Sequence, residues 1–191
     1  MKIIGISGTN GSGKDSLGEL LAEKYNYLFV SVTDMLRLEA KKRGLPVERE
    51  HLRTISAEWR REHGLGVLVD KAVEYYKEQG GDEKYAGLAM ASLRNPGEAD
   101  RVHDLEGMMV WTDADPKIRY DRIYSRQRTA EDDKTFEQFL SEEQDEMTSS
   151  GDAATLSMAD VKEKSDRIVV NEGATFADLE ASVRESIGDL L

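Results

Sequence analysis

The sequence predicts an α/β fold, a parallel five-stranded sheet with helices on both faces. Three observations lead there. Short apolar runs of strand length alternate with stretches of helical periodicity along the 191 residues, the order that builds βαβ units. A Gly-rich loop, Gly8-Thr9-Asn10-Gly11-Ser12-Gly13-Lys14, lies between the first such strand and the first such helix. No internal repeat or low-complexity stretch divides the chain, so residues 1–191 are expected to form a single domain.

The elements follow in order. Ile3, Ile4 and Ile6 form the first strand, and Leu17, Leu20, Leu21 and Tyr25 mark the helix after the loop. Residues 27–32 are a second buried strand. Thr33 and Asp34 offer N-cap oxygens to a helix through Leu36, Leu38 and Ala40, ending near Gly44 and Pro46. Leu52, Ile55 and Trp59 recur at helical spacing, as do Leu68, Val69, Ala72, Val73 and Tyr76, with Gly64 and Gly66 between the two sets. Two helices here exceed a minimal crossover, so residues 38–80 are expected to be an inserted helical region.

A turn at 79–83 leads to a third strand over 85–92, weakened as a strand signal by its Ala and Gly content. Asn95-Pro96 turns the chain into a short helix over 98–102. Residues 108–111 form a fourth strand, and Pro116 opens the next helix at its first position. Thr135-x-x-Gln138 has capping-box spacing ahead of Phe136, Phe139 and Leu140. After a polar loop at 148–152 and a short helix over 156–164, residues 167–170 are the last strand. Thr175-x-x-Asp178 repeats the capping pattern with Asp in place of the usual Glu or Gln, and Phe176, Leu179, Val183 and Ile187 form an apolar stripe behind it.

Composition excludes several functions. The formal net charge is −12, from 38 acidic and 26 basic residues, which argues against a nucleic-acid partner because phosphate contacts dominate such binding. The absence of cysteine removes disulfides, thiolate catalysis and Cys-ligated zinc. The three histidines, His51, His63 and His103, have no metal-ligand spacing. No apolar run approaches the ~18 residues of a membrane span, and no signal-peptide pattern opens the chain. A cytoplasmic protein is expected, with no membrane partner; the sequence leaves its oligomeric state open.

The loop supplies the chemistry. Glycines turn successive backbone N–H groups into one concavity, the following helix adds the positive end of its dipole, and Lys14 adds a mobile charge for the β- and γ-phosphates of a nucleotide. This predicts a three-layer P-loop NTPase fold with ATP held by Gly8, Thr9, Asn10, Gly11, Ser12, Gly13, Lys14, Asp15 and Ser16. A Ser or Thr that would help hold Mg²⁺ is expected directly after the lysine. Asp15 stands there instead, with Ser16 one position late, and both are candidate Mg²⁺ ligands. Phosphoryl transfer needs positioned positive charge more than covalent help, and arginines fall just after predicted strands, where ligands of parallel sheets bind. They are Arg37, Arg94 and the set Arg119, Arg122, Arg126 and Arg128. Arg119, Arg122 and Arg126 share one helix face by spacing, while Tyr120, Ile123 and Tyr124 point elsewhere, toward the core.

With Thr33-Asp34-Met35-Leu36-Arg37 after the second strand, the chain resembles the nucleoside monophosphate kinases, whose second strand leads into a similar run. It also resembles dephospho-coenzyme A kinases and an archaeal-type set in which a Glu39-Ala40-Lys41-Lys42-Arg43-Gly44-like helix and a Val170-Asn171-Glu172-Gly173-like ending recur. The resemblance spans Lys2 to about Ile187. It implies an acceptor phosphate gripped by Arg37 and Arg94 beside Asp34, and a short lid over 116–150 carrying Arg119, Arg122, Arg126 and Arg128. It implies catalytic roles for Lys14, Arg94, Arg122 and Arg126, and an adenine-facing turn at Asn171 and Gly173. Those kinases carry Asp-Gly before the strand-3 arginine; the aspartate position here is Ala91. The function expected is transfer of the γ-phosphoryl of MgATP to a small phosphate-bearing acceptor, a nucleoside monophosphate or dephospho-coenzyme A. The alternative is a nucleotide-binding switch or regulatory ATPase with a degenerate kinase site.

Overall fold

The computed structural model describes residues 1–126, 134–148 and 151–191. Five parallel strands, β1 (Lys2–Gly8), β2 (Tyr27–Ser31), β3 (Gly87–Ala91), β4 (Met108–Asp113) and β5 (Arg167–Val170), pair in the order β2-β3-β1-β4-β5. Side-chain alternation divides their apolar residues between two cores. On one face Ile4, Ile6, Ala89, Ala91, Val110 and Val169 pack beneath α1 (Lys14–Tyr25) and α9 (Phe176–Ile187). On the other, Ile3, Leu88, Met90, Met109 and Trp111 meet α2 (Val32–Lys42), α3 (Arg49–His63), α4 (Val67–Glu78), α5 (Pro96–Asp104) and α8 (Met158–Glu163). These three layers are the P-loop α/β fold expected.

The Ala and Gly content that weakens β3 as a strand signal has a packing reason. Ala89 and Ala91 are fully buried in the α1-side core with Leu17, Leu20 and Leu21, and Phe29 of the neighbouring strand lies against Gly18 of α1, where an added Cβ would come within 2.2 Å of the ring. Small side chains on this face let α1 approach the sheet closely. Two boundaries differ from expectation. Helix α2 begins at Val32 with Ser31 as its N-cap, so Thr33 and Asp34 are already inside its first turn and do not cap it. Strand β3 spans Gly87–Ala91 rather than 85–92, and at its far end Ser92 turns out of line with a φ of 73°. The capping boxes at Thr135/Gln138 and Thr175/Asp178 form.

α6 (Pro116–Arg126) and α7 (Phe136–Met147) are joined through aromatic contacts among Tyr120, Phe136 and Phe139. Of the side chains expected in the core here, Ile123 is buried, while Tyr124 is exposed and stacks on Tyr120.

A buried polar network ties the end of β3 to the helices over it. Glu98, fully buried, accepts the backbone N–H groups of Arg94 at 2.7 Å and Asn95 at 3.1 Å through one oxygen, and Arg60 through the other at 2.7 Å. Asn95 closes the reciprocal capping box on α5, and its amide also donates to the carbonyls of Ala153 and Thr155. Arg60 spends a further N–H on the Ala154 carbonyl at 2.9 Å. Every charge in the network is thus matched, as burial demands. Glu98→Gln is expected to lower stability by about 3–5 kcal/mol in urea denaturation, because it strands the buried Arg60 charge; Arg60→Met in the same chain should restore part of the loss.

Candidate active site

The phosphate-binding loop is shaped by contacts at its back. Gly11 and Gly13 adopt positive φ, 81° and 93°, and each is closely approached: a Cβ on Gly11 would lie 2.6 Å from the backbone oxygen of Arg119, and one on Gly13 2.1 Å from the Asn171 amide. No other residue fits either place. Ser12 is fully buried and bonds Thr112 of β4 at 2.8 Å, which in turn donates to the carbonyl of Ser7. The Asn171 amide donates to the Ser12 carbonyl at 2.9 Å. Gly13 precedes α1 as a left-handed N-cap with no side-chain cap, so the orphan amides of that helix end are left for an anion.

The arginine face of α6 divides. Arg119, 3% exposed, donates to the Ala114 carbonyl at 2.8 Å, pairs with Glu143 of α7 and reaches the Asn10 carbonyl at 3.5 Å. Arg122 donates to the carbonyls of Asn171 at 2.9 Å and Gly173 at 2.8 Å and reaches that of Gly11 at 3.5 Å; its partial burial pulls its pKa down, against the Glu172 charge that raises it. These two side chains hold the loop and the turn after β5 through their carbonyl groups. The reason is geometric: α6 starts directly after β4, next to β1, so its first two turns lie against the loop's outer side. Arg126, a turn further on, lines the cavity. Arg128 lies outside the described residues.

Inward of the loop opens a cavity of about 690 Å³. Asn10, Gly11, Gly13, Lys14, Asp15 and Ser16 line it from the loop and the start of α1. Arg37 of α2, Arg49, Arg53 and Arg60 of α3, and Ser92 and Arg94 after β3 line it too, with the apolar Val32, Leu36, Leu52 and Leu68. With Lys14 and Arg126 this makes seven basic side chains, against the acidic Asp15, Asp145 and Glu146, in a chain whose net charge is −12. Asp34 is outside the lining; it is exposed and pairs with Arg37 at 2.6 Å on the surface of α2. Gly8 and Thr9 form the strand-to-loop junction behind the lining. Arg53, Arg60 and Glu146 carried no local motif in the sequence; they are brought together by the packing of α3 against α7 and the β3 loop.

Two features of the site are strained or costly. Ser92, two residues before Arg94, is a non-glycine residue with φ of 73°. Lys14 is 8% exposed, its Nζ 3.4 Å from the Thr9 carbonyl. Burial first, then repulsion from Arg94, lowers its pKa from 10.5 to about 8, while Asp15 and Glu146 pull the other way. Glu146, in contrast, stays ionised: burial opposes its charge, but Arg94, Arg53 and Arg49 together hold the carboxyl below the usual range.

Residues 4–149, more than half of the chain, match the family described as an AAA domain. A UPF0200 protein of Pyrococcus abyssi is 30% identical over 76% of this chain and 78% of its own. The chain is an AAA-domain protein of the UPF0200 family. A UPF0200 protein of Methanococcus maripaludis is 28% identical over 91% of this chain and 89% of the relative. The AAA-domain fold also superimposes on TT1252 from Thermus thermophilus, with a TM-score of 0.55 and 20% identity over 96% of this chain and 94% of that one. Shikimate kinase from Bacteroides thetaiotaomicron gives a TM-score of 0.55 at 13% identity, over 96% and 94%. At these identities the likeness is one of fold, the three-layer α/β P-loop fold. No helix among the described residues is long and apolar enough to cross a membrane.

The lowered Lys14 pKa has a signed consequence. Between pH 8 and 10.5 the unfolded chain holds a proton at this lysine that the folded chain has released, so stability rises with pH across that window, and below it the buried charge is destabilising. Lys14→Met should therefore stabilise the ligand-free protein at pH 7 by up to about 3 kcal/mol in thermal or urea denaturation. The gain should fade as pH approaches 10.5.

Proposed function

We propose that this protein is an ATP-dependent phosphotransferase that moves the γ-phosphoryl of MgATP to a small phosphate-bearing acceptor, a nucleoside monophosphate or dephospho-coenzyme A. One observation carries the reading: the phosphate loop and a cluster of arginines from α2, α3 and the end of β3 line the same cavity. A nucleotide-only protein has no use for the second cluster. The triphosphate lies on residues 8–16, with Lys14 and Arg126 over its terminal phosphates, and Arg37 and Arg94 hold the acceptor opposite. The helices over 38–80 form the acceptor wall, and α6 and α7, within 116–150, the cover. The turn at Asn171 and Gly173 shapes the loop and borders the nucleotide.

Charge placed before the reaction stabilises the loose transition state of phosphoryl transfer without reorganisation. An attacking phosphate oxygen is already nucleophilic and needs no strong base. Asp15 and Ser16 offer the oxygen donors that Mg²⁺ prefers. The described residues include no cluster of three or more His, Cys, Asp or Glu side chains suited to a metal, so the ion would be held mainly by phosphate oxygens and water, as Mg²⁺ commonly is. Bound there, it would neutralise charge between the β- and γ-phosphates.

Ala91, buried in the α1-side core with no carboxylate to offer, favours a second reading: a nucleotide-binding switch or regulatory ATPase. A panel assay separates the two. With MgATP, purified protein should release ADP slowly alone and far faster with one nucleoside monophosphate or with dephospho-coenzyme A, and Lys14→Ala should cut that rate by about 100-fold or more. Release that no acceptor accelerates would establish the switch instead. Asp15→Ser should shift the Mg²⁺ concentration needed for half-maximal turnover; an unchanged requirement removes Asp15 from the metal's surroundings.

A further inference from the structure

The arginines at the acceptor end already hold an anion, and it belongs to the protein. Glu146 of α7 is 8% exposed and gives each carboxylate oxygen to a different guanidinium: Oε1 accepts from Arg53 at 2.7 Å and Oε2 from Arg94 at 3.2 Å. The two arginines come from α3 and from the loop after β3. Glu146 lines the cavity, and Arg94 and Glu146 both stand near enough to Lys14 to shift its amine, in opposite directions. The carboxylate therefore sits beside the place of transfer. Neighbouring acids on the same helix that do not line the cavity make similar contacts, Glu142 with Arg49 at 3.4 Å and Glu143 with Arg119.

A carboxylate bridging two guanidinium groups reproduces part of what a phosphate offers them, with one oxygen fewer and less charge. We infer that Arg53 and Arg94 form an anion subsite for the acceptor's phosphate, and that Glu146 occupies this subsite until the acceptor displaces it. The inference rests on the transferase reading above and adds Arg53 to the acceptor-positioning residues. Two consequences follow from competition alone. The acceptor's apparent affinity is reduced by the fraction of time the pair is free. Arrival of the acceptor also takes away two of the contacts that hold the end of α7, those of Glu146 with Arg53 and Arg94, so binding and movement of that end are coupled.

The test uses the full chain loaded with Mg²⁺ and the β,γ-imido analogue of ATP, which fills the loop, and inorganic phosphate as the probe of the subsite. Glu146→Gln should bind phosphate at least about tenfold more tightly than the unaltered chain, the gain expected if Glu146 fills the subsite nine-tenths of the time. Arg53→Ala added to that variant should abolish the gain. Unchanged or weaker phosphate binding by Glu146→Gln overturns the inference and leaves Glu146 a structural clasp. Hydrogen exchange on the unaltered chain asks the same question without a variant. Phosphate should speed exchange of the amides at 142–148, and unchanged or slower exchange overturns the displacement. Binding of the analogue is titrated separately, and its absence would count against the transferase reading rather than against the role of Glu146.

Discussion

Crowded positive charge is the constraint on which this structure turns. Seven basic side chains converge on one cavity, and like charges brought so close repel strongly once water is excluded. The protein meets this in three ways. Arg60 is neutralised permanently by Glu98, which is buried with it. Lys14 gives up part of its hold on its proton, its pKa drawn down to about 8. Arg53 and Arg94 share Glu146. An incoming polyanion relieves the crowding that remains, so the ligand-free site is poised by its own repulsion to accept one.

The loop, the strand and helix on either side of it and two of the capping boxes were legible in the sequence because each is written in residues close together. Strand, glycine loop, lysine and helix fall within the first 25 positions, and Thr135 and Thr175 find their partners three residues on. The network behind Arg94 was not legible. Asn95 and Glu98 look like a turn and a helix start, and only the fold brings Arg60 to Glu98 across 38 positions. The pairing of Arg53 with Glu146 spans 93. No local period encodes such distances.

The α6 arginines show how a correct local pattern still leaves direction open. Their spacing does place Arg119, Arg122 and Arg126 along one side of the helix, but spacing says nothing of what that side meets. Crossing the back of the loop, the helix spends Arg119 and Arg122 on carbonyl groups and leaves Arg126 at the cavity. Ser92 teaches the same lesson for the backbone. A serine gives no hint of positive φ, yet the chain turns there, two residues before Arg94 enters the cavity lining. Left-handed serine costs of order 1 kcal/mol, a strain that the buried Glu98 network holds in place.

The bond from the Asn171 amide to the Ser12 carbonyl joins positions 159 residues apart. During synthesis, the glycine loop leaves the ribosome among the first segments, while Asn171 is still untranslated. A nascent chain lacking β5 and the turn after it thus carries the whole loop sequence without one of the braces at its back. A message truncated before codon 171 would yield a chain that keeps the motif but has lost that brace.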